Sequence, residues 1–537
     1  MALISKSRFM TGLRCPRTLW LQVHDKESVP KHGAMAEVIM GYGSTVGKFS
    51  HNLFPGAISL DRKMSVPDHV AASVEAMKEG KVVLECSFMH EDTYSRIDIL
   101  KPSEDKEGFW DLLEVKATTN PDPSYYKDLA YQYYVAEKMG IKIDKTCLVY
   151  LDNTYTREGD IDVNKLFKIE ECTELVKELA EEVPLDLLKI RTILAEPTPP
   201  AVKIDENILN MEDEEIEAYC PHIWEPGSIF NLVRMKGRDK VELWQHGVRK
   251  ISDIKHPEQL TQAQSRQHFS EISGKAYLAR PELKNFIDNI KFPAVFCDFE
   301  TFQAPVPIYD SMRAYEQVPF QFVVAIVPHP GAEVETHYFI ADEHGPDERL
   351  QVIEKLKSLT KRTGSFIAYN SSFESTVLKR CAAAYPKYQK WVDEMIEKTI
   401  DLYAPFRQFD YYHPSQQGSA SLKPISASIF PTDPYSGLKI KNGIQATQAY
   451  LRLKHDSPPA AEVKEIKKNL NLYCGQDTQG MVDLAAAMEV LAAIPEYQRK
   501  FGMSSSCEMN EVIHENPDLI FRATKSKKEP VVTGVAI

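Results

Sequence analysis

The pattern of apolar and polar positions divides the chain into two strand-rich stretches set among helical ones. From position 82 the period is two, the spacing of a half-buried strand, and residues 82–88, 94–100 and 110–117 predict three strands in series. An amphipathic helix over 124–139, rich in Tyr and Ala, and a fourth strand at 146–151 follow them. The second strand-rich stretch begins at 294–301 and continues through 320–327 and 334–340, with His329-Pro330-Gly331 as a turn between the last two. A helix over 347–359, a buried strand at 365–370 and a long helix over about 461–494 complete it. Three strands in series and then β/α alternation predict an α/β core in each half.

The remaining stretches carry weaker patterns. Residues 1–60 read as helical, with a helix stopped by Pro55-Gly56. Residues 152–225 are acidic and helical, broken at 196–200 by prolines, and 210–217 read as a solvated face without chemistry. Residues 228–290 read as a small helical linker, in which 241–254 has a helix–Gly–helix shape around Gly247. Such hairpins can grip phosphates through backbone N–H groups. Residues 498–537 lose periodicity and read as a tail. The expected domains are therefore 1–225, 226–290, 291–497 and 498–537.

Composition narrows the class. At 537 residues the chain exceeds what one core serves, and 43% hydrophobic with 26% charged residues is ordinary for a soluble globular protein. No run approaches the ~20 apolar residues of a bilayer span, and the first residues lack the apolar core of a signal peptide. The expectation is a cytoplasmic protein with no membrane partner. Nine cysteines without a C-x-x-C pair fit reduced core thiols. A net charge of −13 argues against a basic coat for non-specific duplex binding, and leaves room for a nuclease, whose metal carboxylates are themselves negative.

Chemistry concentrates first at Asp298-Phe-Glu300. Residues two apart on a strand share a face, so the two carboxylates project together. They repel unless a cation sits between them, which points to magnesium or manganese. Asn370-Ser-Ser-Phe373-Glu374 falls at a strand-to-helix junction, and Tyr473 and Asp477, four apart, share a helix face. The set Asp298-x-Glu300, Asn370-x-x-Phe373-Glu374 and Tyr473-x-x-x-Asp477 resembles the DEDD 3′→5′ exonucleases in their tyrosine-bearing branch, on a ribonuclease-H-like fold. The resemblance implies two divalent ions bridged by Asp298 and completed by Glu300, Glu374 and Asp477, with Tyr473 orienting the attacking water. Glu374 stands where that family usually has Asp, a shift of the carboxylate by ~1.5 Å. Arg313, Asn370 and Phe373 are candidate contacts to a nucleic-acid strand, as is the polar and aromatic stretch 401–423.

The first strand-rich stretch carries Asp98 and, one strand later, Glu114-Val-Lys116, whose outer members share a face. A lysine beside metal-bound carboxylates can hold and polarise a water. This order resembles the RecB-like PD-(D/E)XK nucleases, of restriction-endonuclease-like fold. It implies one or two Mg²⁺ or Mn²⁺ ions on Asp98 and Glu114, Lys116 as catalytic lysine, and Gln132 as the Gln of the next motif. Ala136 occupies the place of that motif's usual Tyr. Arg8, Arg14 and Arg17, interleaved with Phe9 and Trp20, form a candidate phosphate-and-base surface. Many RecB-like relatives hold an iron–sulfur cluster on four cysteines; here only Cys15 and Cys220 are candidates, and no cluster is expected.

A RecB-like half followed by a ribonuclease-H-like half resembles a family of uncharacterised bacterial proteins with a domain of unknown function. The expectation is a metal-dependent nuclease acting on DNA rather than RNA, in repair, processing or defence. The alternative is a nucleic-acid-binding scaffold with one or both sites decayed.

Overall fold

The computed structural model describes residues 2–31, 33–430 and 433–493; the expected tail at 498–537 lies outside them. The chain forms two compact units. One holds the described residues up to Pro221 together with Ala304–Glu316, the other His222–Gln303 and the described residues from Gln317 onward. Both are mixed α/β.

The first unit is built on a seven-stranded sheet of β1 (Ile4–Ser5), β2 (Ile58–Ser59), β3 (Val83–His90), β4 (Thr93–Pro102), β5 (Trp110–Lys116), β6 (Ile143–Leu151) and β7 (Phe167–Glu171). Its order is β2-β3-β4-β5-β6-β7, with β1 pairing β4. Strands β3, β4 and β5 form an antiparallel meander, and β5 and β6 run parallel around the helix Pro123–Lys138. Alternation along the strands sorts two cores. Cys86, Phe88, Ile97, Leu112 and Leu148 pack with Leu129, Tyr131 and Val135 of that helix. Leu84, Ile99, Leu113 and Val149 pack on the other face with Val46, Val306 and Ala314. The last two belong to the segment 304–316, which is further held by the Tyr315 hydroxyl donating to the Ala117 carbonyl at 2.6 Å.

In the second unit β8 (Tyr277–Leu278) pairs with a distant two-residue strand, and the main sheet is formed by β9 (Ala294–Gln303), β10 (Gln317–Val327), β11 (Glu335–Ile340), β12 (Ser365–Ala368) and β13 (Thr399–Asp401). The strand paired with β8 is β14 (Tyr411–Tyr412). The main sheet runs β11-β10-β9-β12-β13, antiparallel across the first three strands and parallel across the last three. Here too period two separates the faces of β9. Val295, Cys297 and Phe299 meet the helices Glu348–Leu359 and Ser372–Ala384, whereas Ala294 and Phe296 meet the helix Ala460–Ala493. Asp298 and Glu300 continue the second series, on the side of that long helix.

Residues 226–290 lie within the second unit, tied in by a buried ion pair between Arg266 and Asp410 and by Gln267 donating to the Tyr412 hydroxyl at 3.3 Å. The helix–Gly–helix expected at 241–254 does not form. Gly237–Gln245 is helical, but Gly247 takes φ 89°, Lys250 bridges to Ser228 as in a strand, and Ile251–Asp253 is a single 3-10 turn. No helix among the described residues is long and apolar enough to cross a membrane.

Candidate active sites

The second unit gathers the carboxylates at the middle of its sheet. Asp298 and Glu300 project from β9 toward Tyr473, Cys474 and Asp477 on the long helix. Ligand atoms of Asp298, Glu300 and Cys474 lie within 4.8 Å of one another. Glu374, in the first turn of Ser372–Ala384, is buried with Oε2 lacking any hydrogen-bond partner. Asp477 accepts from the Tyr435 hydroxyl at 2.7 Å, and Tyr473 lies one helical turn away.

Electrostatics mark the cluster as strained without a cation. Burial, then the charges of Asp477, Glu300 and Glu374, pushes Asp298 well above the usual carboxylate range. Burial and Asp477 push Glu300 up to about 8, and burial with Asp401 pushes Glu374 up to about 8. Asp477 also rises through burial, against the pull of Tyr435, Lys423 and Tyr473. A buried, converging carboxylate set with one orphaned oxygen fits a hard divalent ion. Burial and the surrounding carboxylates drive Tyr473 far upward, so it stays a neutral hydroxyl.

The other candidates of this half are placed differently. Asn370 is exposed in a left-handed conformation (φ 63°), its N–H donating to Asp401 Oδ1 at 2.9 Å. Phe373 packs against the sheet's core. Arg313 is exposed within 304–316, which clusters with the first unit. Three residues near the carboxylates carry no signal in periodicity: Lys423, Tyr435 and Cys474. Cys474 lies inside the Tyr473–Asp477 motif, and its thiol donates to Asp298 Oδ2 at 3.4 Å.

The first unit gathers Asp98, Glu114, Lys116 and Gln132, together with Lys6 and Asp128. Glu114 Oε1 accepts from Lys6 at 2.7 Å and Lys116 at 2.8 Å, and Oε2 from Gln132 at 2.8 Å. Lys116 also pairs with Asp128, which lies 3.6 Å from Lys6. Burial raises Glu114, but the two lysines more than reverse it, and it sits well below the usual range. Burial and the Glu114 charge push Asp98 up to about 7. Two ammonium groups thus already pair with Glu114 Oε1. Next to Asp98, Glu85 occupies a left-handed position (φ 63°) in β3, paired with Arg62 and 3.6 Å from His51 Nε2. Neither His51 nor Glu85 stands out from sequence period alone.

The basic N-terminal surface is engaged within its own unit. Arg14 pairs with Glu212 at 2.5 Å and Glu215 at 3.1 Å, and Arg17 donates to the Pro200 carbonyl at 3.2 Å. Trp20 donates to the Glu196 carbonyl at 2.9 Å, and Phe9 is buried against Tyr131. Stretch 210–217 is therefore not merely a solvated face: Glu215 is 2% exposed and receives Arg14 and Thr18. Arg8 donates to the Leu3 carbonyl at 2.6 Å beside a shallow groove. Cys15 and Cys220 are both buried free thiols.

Among known families, one described as Domain of unknown function (DUF2779) matches residues 295–421. The match includes Asp298, Glu300 and Glu374 and ends before Tyr473 and Asp477. No curated protein matches the chain.

Proposed function

We propose that the protein is a divalent-metal-dependent nuclease whose principal centre is Asp298, Glu300, Glu374 and Asp477, acting as a 3′→5′ exonuclease on nucleic acid, DNA in preference to RNA. The observation that carries the reading is the convergence of Asp298 and Glu300 with buried Glu374, whose Oε2 has no protein partner. The sheet order third-second-first-fourth-fifth, with its second strand antiparallel, supports a ribonuclease-H-like core. The β-meander, helix and parallel strand around Glu114 support a restriction-endonuclease-like one in the other unit.

Asp298 and Glu300 would hold Mg²⁺ or Mn²⁺, with the buried, unpartnered carboxyl of Glu374 available to complete the site. When bound, such an ion acidifies a water and stabilises charge on a departing 3′-oxygen. Tyr473, kept protonated by burial among carboxylates, serves as a donor and orients the attacking water rather than taking its proton. Asp477 fixes the Tyr435 hydroxyl by accepting from it.

For the first unit a second reading is favoured by Lys6: with Glu114 balanced by two lysines, this site engages nucleic acid without cutting it. Comparing Lys116→Ala and Asp298→Ala on end-labelled strands separates the two. Loss of all cutting in Asp298→Ala with none lost in Lys116→Ala assigns catalysis to the second unit alone. Turnover of dinucleotides but not of long strands would instead indicate a small-nucleotide phosphodiesterase.

A further inference from the structure

Cys474 stands on the helix Ala460–Ala493, between Tyr473 and Gly475, and is fully buried. Its thiol meets Asp298 twice, with Sγ 3.4 Å from Oδ2 and 3.6 Å from the backbone carbonyl oxygen. A Zn²⁺ ion bonded to sulfur at ~2.3 Å and to oxygen at ~2.0 Å, at a tetrahedral angle, holds those two atoms ~3.5 Å apart. The observed Sγ to Oδ2 separation of 3.4 Å fits one ion touching both. A thiol hydrogen bond accounts for that pair by itself. It does not account for Glu300, whose ligand atom lies within 4.8 Å of both. Nor does it account for Glu374, 4% exposed, whose Oε2 has no partner and whose charge reaches Asp298.

We propose that Cys474 is a third ligand of the centre, making a mixed carboxylate–thiolate site that binds Zn²⁺ and other thiophilic divalent ions more tightly than Mg²⁺ or Mn²⁺. The inference rests on reading the centre as a metal site, and it adds sulfur to the all-oxygen ligand set that the sequence resemblance implies. Mg²⁺ is a hard ion that takes oxygen, so it uses the carboxylates and leaves the sulfur alone. Zn²⁺ and Cd²⁺ accept a thiolate beside carboxylate oxygen, and Zn²⁺ stands above Mn²⁺ in affinity for a given set of N, O and S ligands. On binding, the S–H bond breaks, its proton leaves to solvent, and the sulfur electron pair bonds the ion; nothing is oxidised or reduced.

The test titrates Cd²⁺, whose bond to a thiolate absorbs in the ultraviolet, into the full-length chain as wild type, Cys474→Ser and Asp298→Ala. Mn²⁺ binding is followed in parallel by electron paramagnetic resonance. Serine keeps a hydroxyl donor beside Asp298 and removes only the sulfur. The proposal expects a thiolate–Cd²⁺ band in wild type that both substitutions abolish. Residues that merely support a metal ligand contribute ~10–100-fold, so Cys474→Ser is expected to weaken Cd²⁺ binding more than ~10-fold, with Mn²⁺ binding unchanged. Zn²⁺ should likewise displace Mn²⁺ from wild type at lower concentration than from Cys474→Ser. A wild-type chain with Asp298-dependent Mn²⁺ binding and no Asp298-dependent thiolate band overturns the proposal, whether or not Cys474→Ser folds. So does a Cys474→Ser chain that binds Mn²⁺ normally and keeps the band. If Asp298→Ala leaves both Mn²⁺ and Cd²⁺ binding unchanged, the metal reading itself falls, and the proposal with it.

Discussion

Glu374 carries both the departure from the DEDD pattern and a strong physical signature, because burial and neighbouring carboxylates push its carboxyl and that of Glu300 up to about 8. The folded chain then keeps protons that the unfolded chain gives up near its ordinary value of 4.5. Between those limits the unfolded state binds fewer protons, so stability is greatest at the acid end and falls as pH rises toward about 8. Thermal melts in chelator are expected to drop from pH 5.5 to 8, more steeply for wild type than for Glu374→Gln, with Mn²⁺ restoring the loss at pH 8. Period put Asp298 with Glu300 on one strand face and Tyr473 with Asp477 on one helix face, whereas Glu374 entered only through the resemblance to the DEDD pattern. Tyr435 was not legible, since it sits beside a long irregular connection where spacing says nothing about where the chain returns, and Lys423 entered only as the end of the stretch 401–423.

Among the elements, the long helix Ala460–Ala493 does most to define the centre, and its fit depends on a glycine. A Cβ on Gly475 would stand 2.7 Å from Cε1 of Tyr338 on β11, so Gly475→Ala must push the helix or the ring aside. Overpacking of this kind costs ~1–3 kcal/mol, and chemical denaturation is expected to show that loss together with weaker Mn²⁺ binding, because Tyr473 and Asp477 flank the site of strain. Farther along, Arg266 and Asp410 bury an ion pair that joins residues 226–290 to the second unit. Arg266→Ala leaves Asp410 without its charge partner and is expected to cost ~3–5 kcal/mol. Most strands and the long helices were legible from period alone. The failed hairpin at 241–254 has a local cause, for after Gly247 the backbone pairs with Ser228 instead of resuming a helix. The acidic stretch around Glu215 looked solvated because its partners, Arg14 and Thr18, lie about 200 residues away in the chain.

At the scale of the whole molecule, two α/β units each bring together acidic side chains from separate strands and helices, in opposite electrostatic states. The first is balanced by Lys6 and Lys116; the second is converging and deficient in cations. Removing Lys6 by Lys6→Gln is expected to let Mn²⁺ bind the first unit more tightly, read as an added ion that Asp98→Asn abolishes. The segment 304–316 shows what sequence order conceals, because it interrupts the second unit's sheet and clusters with the first, where Val306 and Ala314 find their core. The central claim is that Asp298 anchors a metal-dependent cutting site. It is tested most directly by incubating 5′-end-labelled single- and double-stranded DNA and RNA with wild type and Asp298→Ala, in Mn²⁺, Mg²⁺ or EDTA. Loss of residues that merely support a metal ligand costs ~10–100-fold, so removal of the ligand itself is expected to cost more than ~100-fold. The predicted result is a ladder shortening from the 3′ end in wild type with either ion, absent in EDTA and in Asp298→Ala. Equal cutting by Asp298→Ala, or tight binding with no cutting under any ion, would contradict the account.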